Sequence, residues 1–134
     1  MRVIFDNNIW ISYAIGYHLN DIPLILKRPD IELFACEELF AEFERVRRYA
    51  KLQKYLTPAR ATETFELMQT TAILVQITSR TADFNDAKDN YLLDLCQAVR
   101  ADYLVTGDKP LLALGNHNET QILTYRAFCD SIGI

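Results

Sequence analysis

Asp102-Tyr103-Leu104-Val105-Thr106-Gly107-Asp108 is the stretch on which the reading of this chain turns. A short apolar, aromatic and β-branched run ends two residues before an aspartate. Near the start, Arg2-Val3-Ile4-Phe5 likewise runs into Asp6-Asn7-Asn8. Such runs, set between helical segments, are expected to be buried parallel strands. In open α/β sheets ligands bind beyond the carboxyl ends of the strands, where strand order reverses. Two carboxylates delivered there from opposite ends of the sequence point to a site for a hard cation.

The rest of the chain alternates in the same way. Ile31-Glu32-Leu33-Phe34-Ala35 is expected as a second strand, Ala72-Ile73-Leu74-Val75 as a third and Gln121-Ile122-Leu123 as the last. Helices are expected through Ile9–Tyr13, near Ile22–Leu26, over about 37–50 and over about 89–99. Thr57-Pro58 reads as an N-cap and first-turn proline of a helix reaching about Thr70, and Thr124 as the cap of a closing helix through Phe128. A polar loop is expected up to Asn85. Alternation of this kind predicts an α/β fold: a three-layer α/β/α sandwich around a mostly parallel sheet of four to five strands. With 134 residues, and no repeat, low-complexity tract or Pro/Gly-rich linker, residues 1–134 are expected to form a single domain.

Composition narrows the chemistry. Half of the residues are apolar and 24% are charged, with no apolar run near the roughly 20 residues of a membrane span. No basic-then-apolar leader precedes the first strand, so a cytoplasmic location is expected. Cys36, Cys96 and Cys129 are widely spaced and form no CxxC pair, as expected of buried free thiols in a reducing compartment. His18 and His117 stand apart from them and from each other, which leaves little for a zinc site or a histidine relay.

Helical geometry narrows the choice of acids that could join Asp6 and Asp108. With about 100° per residue, Leu39, Phe43, Val46 and Ala50 form one stripe, and Glu42 falls roughly 60° from its centre. Glu37 and Glu44 lie nearly opposite, and Glu38 lies on the flank. On the later helix Leu92, Leu95, Cys96 and Val99 form the stripe, and Asp89 leans inward while Asn90 and Asp94 fall on the outer half. Asp89 also opens that helix, where an aspartate is more commonly only a cap or a partner of the helix dipole. Two carboxylates about 4 Å apart repel by about 4 kcal/mol at an effective dielectric near 20. Four in one pocket must therefore take up protons or a divalent cation. An all-oxygen ligand set favours Mg²⁺ or Mn²⁺, ions suited to hydrolysis of a phosphodiester.

Four motifs carry a family resemblance. They are Val3-Ile4-Phe5-Asp6-Asn7-Asn8-Ile9, Cys36-Glu37-Glu38-Leu39-Phe40-Ala41-Glu42-Phe43, Asp86-Ala87-Lys88-Asp89-Asn90 with Leu92-Leu93-Asp94-Leu95, and Ala101 through Lys109. In this order, and over essentially the whole length, they resemble the PIN-domain family of metal-dependent ribonucleases, in particular its VapC-like branch of toxin components from toxin–antitoxin pairs. The resemblance implies hydrolysis of single-stranded RNA with Mg²⁺ or Mn²⁺. It implies Asp6, Glu42, Asp89 and Asp108 as catalytic metal ligands, with Asn8 and Thr106 as supporting groups and Asp86 and Asp94 as lesser contributors. Thr106 has a plainer role available as a turn former ahead of Gly107. A small antitoxin protein across the acidic cleft, and in many members a homodimer, are the implied partners. Two positions depart from the family pattern: Asn7 stands where a hydroxyl residue is usual, and Pro110 where an acid is frequent.

The formal charge of −4 is unevenly spread. No acid lies between Glu44 and Glu63, a window holding Arg45, Arg47, Arg48, Lys51, Lys54 and Arg60. Of these, Arg45, Arg47, Arg48 and Lys51 are candidates to guide an RNA backbone, with Tyr49 and Tyr55 placed to stack on bases. Solvated helix faces and ordinary packing account for the same residues equally well. The rival to a nuclease is an inert module that binds RNA or a protein. A phosphotransferase using Asp6 as nucleophile would need a second aspartate where Asn8 stands.

Overall fold

The computed structural model describes residues 1–16, 19–80 and 89–134. Among them a six-stranded sheet forms the middle layer, in the order β3-β2-β1-β4-β6-β5. Its strands are β1 (Arg2–Phe5), β2 (Glu32–Ala35), β3 (Ile73–Leu74), β4 (Tyr103–Val105), β5 (Asn116–His117) and β6 (Thr120–Leu123). All neighbours pair in parallel except β5, which runs antiparallel to β6. The helices are α1 (Asn7–Ile15), α2 (Ile22–Leu26), α3 (Glu37–Val46), α4 (Pro58–Thr71), α5 (Asn90–Val99), α6 (Lys109–Leu114) and α7 (Tyr125–Ile132). The expected α/β/α arrangement is the one observed.

The sheet follows from its apolar runs. Val3, Ile4, Phe5, Leu104 and Val105 have 5% exposure or less, as strands covered on both faces require. Phe5 is the hub: its ring meets Trp10 of α1 at 5.7 Å and, edge-on, Phe128 of α7 at 5.8 Å. A second aromatic group, Phe43 stacked on Phe65 at 5.7 Å, joins α3 to α4. Arg60 adds a polar lock between α4 and α1, donating to the carbonyls of Tyr13 and Ala14 and lying over the Tyr13 ring.

The chain runs outward from β1 to β2 and β3, then returns to place β4 on the other side of β1. Strand order thus reverses between β1 and β4, the position at which open α/β sheets bind ligands. Their register, Phe5 opposite Val105, brings Asp6 and Thr106 level as both strands end. Helices start at once beyond them. Asp6 caps α1 and Asp108 caps α6, their carboxylates accepting from the N–H groups of Asn7 and Leu111.

Local signals were accurate where caps mark them. Thr57 and Thr124 cap α4 and α7 through Arg60 N and Ala127 N, although α7 extends beyond Phe128 to Ile132. The α3 helix stops at Val46 rather than near residue 50. Tyr49 turns extended and begins a separate 3-10 turn over Ala50–Leu52, which leaves Ala50 exposed and outside the stripe expected to be buried. Helix α6 and strand β5 add to the expected elements, and β5 takes the sheet beyond five strands. Both are short, and β5 exists through its pairing with β6. His18 and the expected loop from residue 81 to Asn85 lie outside the described residues.

Candidate metal centre

Asp6 occupies the switch point and is 6% exposed. Its Oδ1 accepts from Asn7 N at 2.6 Å, and its Oδ2 accepts from the Thr106 hydroxyl at 2.8 Å and from Asn8 Nδ2 at 3.3 Å. Thr106 uses its whole bonding capacity here. While donating to Asp6, it accepts from Asp108 N at 3.0 Å and from Asn8 Nδ2 at 3.3 Å. The turn-forming and carboxylate-fixing roles expected for Thr106 coexist. Asn8 closes the group by accepting from Gly107 N at 3.0 Å. The ends of β1 and β4 are stitched together by the side chains of Asp6, Asn8 and Thr106.

Glu42 approaches from α3. Its Oε1 accepts from Asn7 Nδ2 at 2.7 Å and from the Tyr91 hydroxyl at 2.6 Å, and its Oε2 lies 3.8 Å from Arg45 Nη2. Neither Asn7 nor Tyr91 was singled out as a positioning group from sequence. Asn7 stood out only as a departure from the family pattern, and the signal was an amide directly after a strand-ending aspartate. Its second amide hydrogen goes to Leu39 O at 2.9 Å, so the amide is pinned to α3. Tyr91 lies two residues past Asp89 on α5 and carried no signal of its own.

A cleft of about 430 Å³ is lined by Asp6, Asn7, Asn8, Glu42, Asp89 and Asp108 at one end. The four residues expected as metal ligands thus all line one hollow. Asp89 is buried at the N-terminus of α5. Asp94 does not line the cleft, and its expected place on an outer helix face is overturned: it is 4% exposed. The wheel assumes one solvent face, whereas Leu92, Leu93, Leu95, Cys96 and Val99 bury α5 on more than one side. Asp86 lies outside the described residues.

The electrostatics bear on whether Mg²⁺ or Mn²⁺ fits. Burial, then the charges of Glu42 and Asp108, push the Asp6 carboxyl up to about 6, against the lowering effect of the bonds from Thr106 and Asn7. Burial and the adjacent Glu42 charge hold the Tyr91 hydroxyl far above its ordinary range, so it stays a donor. Asn7 Oδ1 is buried with no hydrogen-bond partner among the described residues, an acceptor suited to the water shell of a cation. Among the described residues, no three His, Cys, Asp or Glu side chains converge closely enough to form a ready-made ligand set. The oxygen donors, their mutual repulsion and the orphaned acceptor fit a hard, hydrated divalent ion.

The basic window divides. Lys51 lines the cleft, and Arg45 stands at Glu42 with its side chain 60% exposed. Arg48 is exposed and paired with Glu44 at 3.3 Å. Arg47 turns inward instead, its side chain 14% exposed, bonded to Glu44, Pro58 O and Thr62 Oγ1. It ties α3 to α4. Pro110 sits in the first turn of α6, where its missing N–H removes no helix bond.

Comparison with known proteins agrees with this architecture. No curated protein sequence matches the chain. The structure of VapBC2 from Rickettsia felis, bound to a DNA fragment from its promoter, is similar with a TM-score of 0.58 and 14% identity, over 91% of this chain and 97% of that one. A sequence model described as PIN domain matches residues 2–110, with the strand-end aspartates and both carboxylate-bearing helices inside the match. The chain belongs to the PIN-domain family.

Proposed function

We propose that this protein is a metal-dependent endoribonuclease that hydrolyses phosphodiester bonds of single-stranded RNA, as the toxin component of a toxin–antitoxin pair. The observation that carries this reading is the shared cleft of Asp6, Glu42, Asp89 and Asp108 at the β1/β4 switch point. Those four residues would hold Mg²⁺ or Mn²⁺. When bound, such an ion supplies polarisation of the phosphate and a lowered pKa for the attacking water.

The chain's own groups do the rest. Thr106 and Asn8 fix the Asp6 carboxylate, while Asn7 and Tyr91 fix that of Glu42. Asp89 or Asp108 accepts the proton of the attacking water or orients it in line with the leaving oxygen. Lys51 and Arg45 draw the RNA backbone to the cleft. Family resemblance suggests cleavage that leaves a 5′-phosphate and a 3′-hydroxyl. The similarity to VapBC2 supports an antitoxin partner.

A second reading, an inert PIN module that binds RNA or a protein, draws on the open spacing of the acidic groups. End-labelled RNA incubated with Mg²⁺ or Mn²⁺, with EDTA and with the Asp6→Asn variant decides between them. Cleavage by the wild type that both controls abolish is the expected outcome. No cleavage under any condition, or cleavage that survives both controls, overturns the nuclease reading.

A further inference from the structure

The same cleft has a second, chemically different end. Beyond Asn8, the α1 residues Ile11, Ser12 and Ile15 lead away from Asp6 at the start of that helix, and Val46, Tyr49 and Leu52 line the cleft with them. Residues 8 to 15 span roughly 10 Å at 1.5 Å per residue, so this apolar shelf lies near the distance of a neighbouring nucleotide. Tyr49 is an aromatic residue left 41% exposed in the wall of a hollow. The Arg45 guanidinium stands beside its hydroxyl. Lys51 lines the same cleft.

An apolar shelf with one exposed aromatic, flanked by two cations and continuous with an oxyanion-handling end, matches the chemistry of a single-stranded nucleotide. Its base offers a π-face to the tyrosine, and its backbone offers phosphates to lysine and arginine. We infer that this end of the cleft is a nucleobase subsite, in which Tyr49 stacks on the base of a nucleotide flanking the scissile phosphate and Lys51 meets its backbone. The inference rests on reading the acidic end as a phosphodiester site. It adds how the substrate is held and why a splayed single strand is required. Readout by stacking is tolerant of base identity, so the subsite selects unpaired RNA rather than one sequence.

The test separates binding from cleavage. Affinity of the full chain for a short fluorescent single-stranded RNA is measured by anisotropy with Ca²⁺ present, for wild type, Tyr49→Phe and Tyr49→Ala. Stacking predicts about 10-fold weaker binding for Tyr49→Ala and near wild-type binding for Tyr49→Phe. It also predicts that placing one abasic nucleotide at the contacted position weakens wild-type binding by about 10-fold, with no further loss in Tyr49→Ala. Equal RNA affinity of Tyr49→Ala and wild type overturns the subsite, including the case where that variant loses only the grip of a protein partner. RNA held through Tyr49 but never cut with Mg²⁺ or Mn²⁺ would support the subsite while removing the hydrolase. RNA cut normally by Tyr49→Ala, with unchanged affinity, would do the reverse.

Discussion

Tyr91 and Glu42 stand 49 residues apart in the chain and meet in a hydrogen bond of 2.6 Å. The bond joins α5, which begins just after Asp89, to α3, and Asn7 completes it from the first residue of α1 at 2.7 Å. One carboxylate oxygen is thereby held by groups from two other elements. Such outer contacts set the direction in which a metal ligand faces.

Tyr91→Phe keeps the ring and removes the donor. Outer-contact losses of this kind typically weaken metal affinity by about 10-fold or more. Titration of Mn²⁺ by calorimetry should show that loss in Tyr91→Phe, and a larger one in Tyr91→Phe/Asn7→Ala. Unchanged Mn²⁺ affinity in both variants would remove Glu42 orientation from the account.

Thr106 lies between two proposed ligands, giving its proton to Asp6 Oδ2 and accepting from Asp108 N. Thr106→Val leaves the buried carboxylate short of a donor, at a cost of about 1–3 kcal/mol in stability. Thr106→Ser retains the hydroxyl and should recover most of it. Denaturant midpoints for the two variants measure the difference, and similar losses in both would point to packing alone.

Asp6 provides a pH prediction for the metal-free protein. Its carboxyl is raised to about 6, from an ordinary value of 3.8, mainly by burial. Between those values the folded chain holds a proton that the unfolded chain has released. The stabilisation is complete below about pH 4 and is lost as pH rises through about 6, by about 3 kcal/mol at most. In EDTA, the stability of wild type relative to Asp6→Asn should therefore fall across that window. Mg²⁺ should stabilise the wild type most above it. A flat wild-type-minus-variant difference in chemical denaturation would contradict the raised carboxyl.

Arg47 and Lys51 lie four residues apart in one basic window yet have different surroundings. Arg47→Ala removes bonds to Pro58 O and Thr62 Oγ1 and should cost about 1 kcal/mol in stability, with RNA binding unchanged in its salt dependence. Lys51→Ala should leave stability within about 0.5 kcal/mol and lower the slope of log affinity against log salt by about 0.7, the value for one contact to a single strand. Thermal denaturation and salt titration of both variants check the pair. A reduced slope in Arg47→Ala would reassign the surface.

Much of this molecule was legible in its one-dimensional order. The runs before Asp6 and Asp108, the cap residues Thr57 and Thr124, and the inward tilt of Glu42 act over a few neighbouring positions. Each has a periodicity or a turn chemistry that local geometry enforces. These signals were enough to establish alternating strands and helices, the likeness to PIN domains, and the four acids that share the cleft. The length of α3, the burial of Asp94, the inward turn of Arg47 and the bonds from Asn7 and Tyr91 to Glu42 were decided only in three dimensions. The reason is physical: a helical wheel knows one solvent face and one core face, whereas a helix packed between a sheet and its neighbours has several buried sides. Which polar groups meet there depends on partners tens of residues away, and those become neighbours only when the sheet reverses its order at β1 and β4.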